Sequence, residues 1–214
     1  MKGLLIKDLC SISSYKKQYA LLLVFLGGWA IFSHSFSFLA MYSILLGGMM
    51  VMSVMSMEEA VHFNRYALTM PISVKALVKE KYLLVCICIG TGSLLALIVE
   101  VIAMSTPWYE GIVEWVMINC ISAFFLIAYT ITLPIIFKYG VEKARYTYMA
   151  VVLVMGAVIG ISVYLTSDTS VMLFDGAPHL VDNLLLTGGL WILDVIVLVI
   201  SYQVSLKAVR DKEW

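Results

Sequence analysis

Charge is what this chain has least of. Only 13% of its 214 residues are Asp, Glu, Lys or Arg, and 62% are hydrophobic. An ordinary water-soluble domain carries about a quarter charged residues, and no water-facing surface can be built from this mixture. Neither sign of charge is in excess, so nothing in the balance points to nucleic acid as a partner. Signatures of self-contained chemistry are missing as well. There is no G-x-x-x-x-G-K-[ST] loop to cradle phosphates, which excludes ATP hydrolysis by this chain alone, and no H-E-x-x-H. His34, His62 and His179 fall in loops or at membrane edges. None stands at helical spacing from a second metal-binding histidine beside Glu58-Glu59, so no metal site is expected. Cys10, Cys86, Cys88 and Cys120 form no C-x-x-C pair and read as small buried hydrophobes rather than as disulfides or zinc ligands. No small-residue cleavage site follows Lys17, so the opening residues are not read as a signal peptide.

What the chain has in abundance is long uncharged runs, and a helix needs roughly 20 apolar residues to cross the hydrocarbon core of a bilayer. No charged residue occurs between Lys17 and Glu58. That run suits two short spans, Tyr19–Phe32 and Phe36–Met55, joined by a tight turn at Ser33-His34-Ser35. Further spans are expected over Tyr82–Met104, Ile112–Phe137, Tyr146–Leu165 and Leu184–Leu206, with a short outer loop at Thr106-Pro107-Trp108-Tyr109. The fold class is therefore all-α integral membrane, with about six transmembrane helices in one domain covering residues 1–214. All 14 basic residues then fall on one face: Lys2, Lys7, Lys16 and Lys17; Arg65, Lys75, Lys79 and Lys81; Lys138, Lys143 and Arg145; Lys207, Arg210 and Lys212. Lys and Arg mark the cytoplasmic side, which puts both termini inside. The opposite loops carry only acids, among them Glu110, Asp168, Asp175 and Asp182.

Two segments outside the spans have a pattern of their own. In residues 1–17, Met1, Leu5, Leu9 and Ile12 recur at helical spacing with Lys7, Ser11 and Ser14 opposite. An interfacial helix is the reading preferred over a plain polar leader, since its lysines would meet anionic lipid. Residues 57–81 connect the second and third expected spans. They suit a short helix through Leu68, a break at Thr69-Met70-Pro71 and a second helix entered near Ser73 that continues into the third span. Phe63, Tyr66, Leu68 and Met70 sit there among Arg65 and Lys75, a mixture of aromatic, apolar and basic groups suited to docking a protein partner. An amphipathic loop lying on the bilayer fits the composition equally well.

The run Phe63-Asn64-Arg65-Tyr66-Ala67-Leu68-Thr69-Met70-Pro71-Ile72-Ser73, with Lys81-Tyr82 entering the next span, resembles a pattern of small bacterial ABC-2 type permeases, aromatic-x-x-Tyr-x-Leu-Thr-Leu-Pro-Ile-Ser. The opening Met1-Lys-Gly-Leu-Leu-Ile-Lys-Asp-Leu is similar to the start common in that group. Phe63, Met70 and Val74 replace the group's usual tryptophan, leucine and arginine. The resemblance implies a half-transporter in the bacterial cytoplasmic membrane, whose coupling helix between spans two and three contacts separate ABC ATPase subunits. It implies that Phe63, Arg65, Tyr66, Leu68, Met70, Pro71 and Lys75 form that contact, and that ATP and Mg are bound by the partner and no cofactor by this chain. It also implies pairing with a second permease copy or a homologous permease, and export of amphipathic or antimicrobial peptides or other hydrophobic substrates.

Inside the expected spans, Asp194 lies near the middle of the last with no basic residue at comparable depth. It suits a transport group or, equally, a protonated acid bonded to a neighbouring hydroxyl. Glu100 lies nearer the outer edge, with Glu114, where solvation is cheaper. Gly156-x-x-x-Gly160 permits close helix packing, Pro134 is expected to kink the inner end of span four, and Met49, Met50, Met52 and Met55 offer an adaptable apolar wall. Two other classes fit the same features: a membrane-embedded enzyme using Asp194, Glu100 or Glu114 as acid, base or metal ligand, and a non-transporting binding or immunity protein.

Overall fold

The computed structural model describes residues 2–33, 36–61, 63, 74–104, 115–167 and 180–210, and these are helical apart from breaks at Tyr15, Val61 and Gly140. The described helices are α1 (Lys2–Ser14), α2 (Lys16–Ser33), α3 (Phe36–Ala60), α4 (Val74–Met104), α5 (Trp115–Tyr139), α6 (Val141–Ser167) and α7 (Leu180–Arg210). A helix satisfies every backbone group within its own segment, which is what hydrocarbon demands of a chain this apolar.

Four stretches are long and apolar enough to cross a membrane: Phe38–Ala60, Val74–Ala103, Ile118–Tyr139 and Thr187–Arg210. They correspond to the second, third, fourth and sixth expected spans. The helices at the other two expected positions do not meet that measure among the described residues. α2 spends its first turn on Lys16 and Lys17, which leaves it a short uncharged run, while the outer part of α6 lies beyond the described side chains. Helix α4 is described from Val74 and carries Lys75, Lys79, Glu80 and Lys81 on regular helix continuous with the apolar span; the expected entry at Ser73 lies outside the described residues. The expected turn at His34-Ser35 and the outer loop at 106–109 lie outside the described residues.

Helix α3 packs most extensively on α4, and α5 on α7. The centre is formed by Ile44, Val51 and Val54 of α3, Val78, Leu84 and Ile89 of α4, and Leu133 of α5, each 2% exposed or less. Small residues set the α3–α4 distance. A Cβ added to Gly92 would stand 2.9 Å from the Ser43 carbonyl oxygen and 3.0 Å from Ile44 Cα, and one on Gly47 would strike the Cys88 carbonyl. Ser43 Oγ uses this proximity to donate to the Gly92 carbonyl at 3.1 Å. The glycines flagged by spacing, Gly156 and Gly160, are not at this crossing. A Cβ on Gly156 meets nothing within 4 Å, and the surroundings of Gly160 lie outside the described side chains.

The α5–α6 corner turns on Gly140, whose φ of +90° is a left-handed conformation that side chains disfavour. Glu59, at the end of α3, accepts a hydrogen bond from the Val141 amide at 2.6 Å and so caps α6, placing a carboxylate at the positive end of the helix dipole. Arg145 reaches back to Ser56 Oγ at 3.2 Å, which fastens the same corner from the other side. Outward faces are apolar: Leu21, Val24 and Phe25 on α2, Ile98 and Val101 on α4, Leu153 on α6, and Ile192, Val195 and Ile196 on α7 are all exposed.

Candidate functional site

Sequence spacing places the apolar face of α1 on Met1, Leu5, Leu9 and Ile12, the face that an interfacial helix gives to lipid. Leu4 and Asp8 are its buried residues, while Leu9 and Ile6 face outward at 41% and 58% exposure. The cause is electrostatic. Asp8, fully buried, meets Lys81 of α4, itself 2% exposed, with Nζ to Oδ2 at 2.6 Å. An isolated charge in such surroundings costs far more than burying a leucine gains, so the pairing decides which face of α1 turns inward.

Five charged groups meet at this junction. Lys81 Nζ also contacts Glu58 Oε2 at 2.6 Å and Glu80 Oε2 at 3.4 Å. Lys7 Nζ lies 2.9 Å from Asp8 Oδ1, bonds to Glu58 Oε1 and sits 3.5 Å over the centroid of the Phe63 ring. α1, the end of α3 and the start of α4 are thereby bound together on both sides of residues 61–73. Burial pushes the Asp8 carboxyl up, but the contacting Lys81 and Lys7 ammonium groups outweigh it and hold Asp8 well below the usual carboxylate range.

Beside the ionic junction lies a chain of hydroxyls. Tyr82 of α4 stands 2.6 Å from Ser201 Oγ and 2.7 Å from Ser205 Oγ, both of α7. Ser201 donates to the Thr130 carbonyl of α5 at 2.5 Å. That carbonyl is available because Pro134, inside α5, has no amide hydrogen to give to the residue four before it. The expected effect of Pro134 was a kink; its visible consequence is a carbonyl released to tie α5 to α7. The Tyr202 ring packs edge-on against Tyr82 at 5.7 Å between centroids.

The other expected site residues are dispersed. Phe63 is half-buried against the core beneath Lys7, not projecting freely. Lys75 is exposed in the first turn of α4, and Arg65, Tyr66, Leu68, Met70 and Pro71 lie outside the described residues. Glu100 is 2% exposed, buried rather than solvated as its place near the end of α4 had implied. Asp194 is equally buried, and neither of its oxygens has a hydrogen-bond partner, so the neighbouring hydroxyl expected for a protonated acid is not in place. Of the methionine wall, Met55 is core and Met49 faces outward. Among the described residues no group of three or more His, Cys, Asp or Glu could hold a metal ion. Sequence reasoning missed Asp8, Glu58 and Glu80. The available signal was an acid on the apolar face of α1, matched by an acid and a lysine directly preceding an uncharged run.

This arrangement holds helices together through paired charges and shared hydroxyls, and it is built at the two ends of one connecting segment. No curated protein and no solved structure matches the chain. Residues 3–210 match the family model described as ABC-2 family transporter protein, nearly the whole length. With its apolar helices, this makes the chain a multi-pass membrane protein belonging to the ABC-2 transporter family, whose members are permease components working with an ABC ATPase.

Proposed function

We propose that the chain is the membrane half of an ATP-driven exporter, with residues 1–214 forming one permease domain of about six spans and both ends in the cytoplasm. Residues 1–17 lie at the interface with lipid. Residues 57–81 are the coupling segment, through which a separate ATPase, holding ATP and Mg, delivers its closing motion. Two permeases, identical or homologous, enclose the path. The substrate proposed is an amphipathic, membrane-active peptide, and the membrane is the bacterial cytoplasmic membrane. One observation carries the coupling assignment: both flanks of residues 61–73 are fastened to α1 through Lys7, Asp8, Glu58 and Lys81. A push on this segment is thus delivered to three helices at once rather than absorbed by a loose loop.

An intramembrane enzyme needs polar groups from different helices to converge on a reacting atom. Asp194 makes no hydrogen bond that would begin such a centre. The test is uptake into inverted membrane vesicles containing this chain and its ATPase. A fluorescent amphipathic peptide should accumulate with ATP and not with a non-hydrolysable analogue. Equal accumulation under both conditions would remove the exporter reading.

A further inference from the structure

We propose that Asp8 and Glu80 share a single proton, and that this proton switches the latch joining α1 to the ends of α3 and α4. The observation is a charge count in a closed space. Three carboxylates (Asp8, Glu58, Glu80) face two ammonium groups (Lys7, Lys81), and Asp8, Glu80 and Lys81 are each 4% exposed or less. Fully ionised, the cluster carries one uncompensated negative charge away from water. Asp8 Oδ1 and both Glu80 oxygens are buried, and apart from the ammonium groups of Lys7, 2.9 Å from Asp8 Oδ1, and Lys81, 3.4 Å from Glu80 Oε2, no donor reaches them. Two adjacent carboxylates repel, whereas one carboxyl donating to the other supplies the missing hydrogen bond and brings the cluster to neutrality.

The groups facing this pair come from every element at the junction. Lys7 comes from α1 and Glu58 from α3, while Lys81 comes from α4 with the Phe63 ring lying over Lys7. The buried Cys88 thiol of α4 also feels the Asp8 charge. Among the described residues no Lys, Arg, Asp or Glu of α2, α5, α6 or α7 is ion-paired with the five, and Glu59 is turned away to cap α6.

The proton exchanges with the aqueous phase at this end of the bundle. Its loss in alkali leaves two neighbouring carboxylates and loosens α1. In strong acid, protonation of Asp8 removes the acceptor of the 2.6 Å contact with Lys81 and loosens α1 again. Between these limits the latch is closed. Its consequence for transport rests on reading 61–73 as the coupling segment; the proton itself does not, and the two can fail separately.

Infrared spectroscopy of the full-length protein in lipid nanodiscs tests this, in an Asp194→Asn, Glu100→Gln background that removes the two buried acids away from the junction. A protonated-carboxyl carbonyl band is expected at neutral pH and should fade in alkali. It should be absent in Glu80→Gln and also in Asp8→Asn, where two carboxylates balance two ammonium groups and no proton is needed. Amide hydrogen exchange of α1, corrected for the intrinsic pH dependence of exchange, should lose protection in alkali in the parent protein and keep it in Glu80→Gln. A band of undiminished intensity in Glu80→Gln or Asp8→Asn overturns the proposal. So does α1 protection that is independent of pH in the parent. Should Glu80→Gln fail to fold, Asp8→Asn and the parent titration still decide.

Discussion

Removing the Lys81 cation is the sharpest perturbation of the junction, and the structure sets its size. Lys81→Met keeps the length of the stem but leaves Asp8 and Glu58 without their 2.6 Å partner and Glu80 without its 3.4 Å one. Asp8 is fully buried and Glu58 only 8% exposed, so water cannot replace what is lost. Breaking a buried pair on one side costs about 3–5 kcal/mol, because a stranded charge remains. Lys79→Met, at an exposed position of the same helix, should change stability by no more than about 0.5 kcal/mol. Neutralising the partners as well, in Lys81→Met with Asp8→Asn, Glu58→Gln and Glu80→Gln, should recover most of the loss, since no unpaired charge is then buried. The assay is reversible unfolding in mixed detergent micelles followed by tryptophan fluorescence. If Lys81→Met and Lys79→Met unfold alike, the cluster does not hold the junction, and its short distances carry no stability.

Four further outcomes follow from the geometry. Gly92→Ala and Gly47→Ala should each destabilise by about 1–3 kcal/mol by forcing α3 and α4 apart, whereas Gly90→Ala, with nothing within 4 Å of its added Cβ, should be neutral in the same unfolding assay. Ser201→Ala should cost about 1–2 kcal/mol, since both the Thr130 carbonyl and the Tyr82 hydroxyl lose a partner; an unchanged midpoint would show that the hydroxyl chain is incidental. Because Asp8 titrates below its unfolded value of about 3.9, its contribution is complete above that value and lost only as pH falls through the lower folded one. Mild acid near pH 5 should therefore leave the Asp8–Lys81 contact intact, as read by the difference in stability between parent and Asp8→Asn at that pH. In a cysteine-free background, cysteines at Ser14, Lys79 and Lys143 should resist an impermeant maleimide applied to intact cells while Asp168 and Asp175 label; labelling of Lys79 from outside would reverse the topology.

The helices were legible because hydrocarbon leaves the backbone so little choice. Uncharged runs bounded by lysines and glutamates locate α3, α4, α5 and α7 within a few residues. The ends of α7 were placed too short, because lipid-length counting stops at the first charges, while the helix continues through Lys207–Arg210. The junction was not legible, since partners 73 and 51 positions apart cannot be matched by local periodicity. Periodicity on α1 weighs Leu5 and Leu9 as apolar and Asp8 as polar, and cannot register a lysine waiting on another helix. Lys81-Tyr82 was noticed only through its family-like setting. The structure shows each of the two heading a separate polar network, one ionic and one of hydroxyls.

The central claim, that this chain takes its energy from a separate ATPase through the segment between α3 and α4, is tested most directly by co-purification. The ATPase should be retained by the parent and by Glu110→Ala, a change far along the sequence from the segment. It should be released by Tyr66→Ala with Leu68→Ala, because truncating interface anchors worth about 1–3 kcal/mol weakens assembly about tenfold to a hundredfold. Phe63 is left intact in this experiment, since its ring lies beneath Lys7 and its loss would disturb the junction itself. Retention of the ATPase by the double variant at the level of Glu110→Ala would contradict the account.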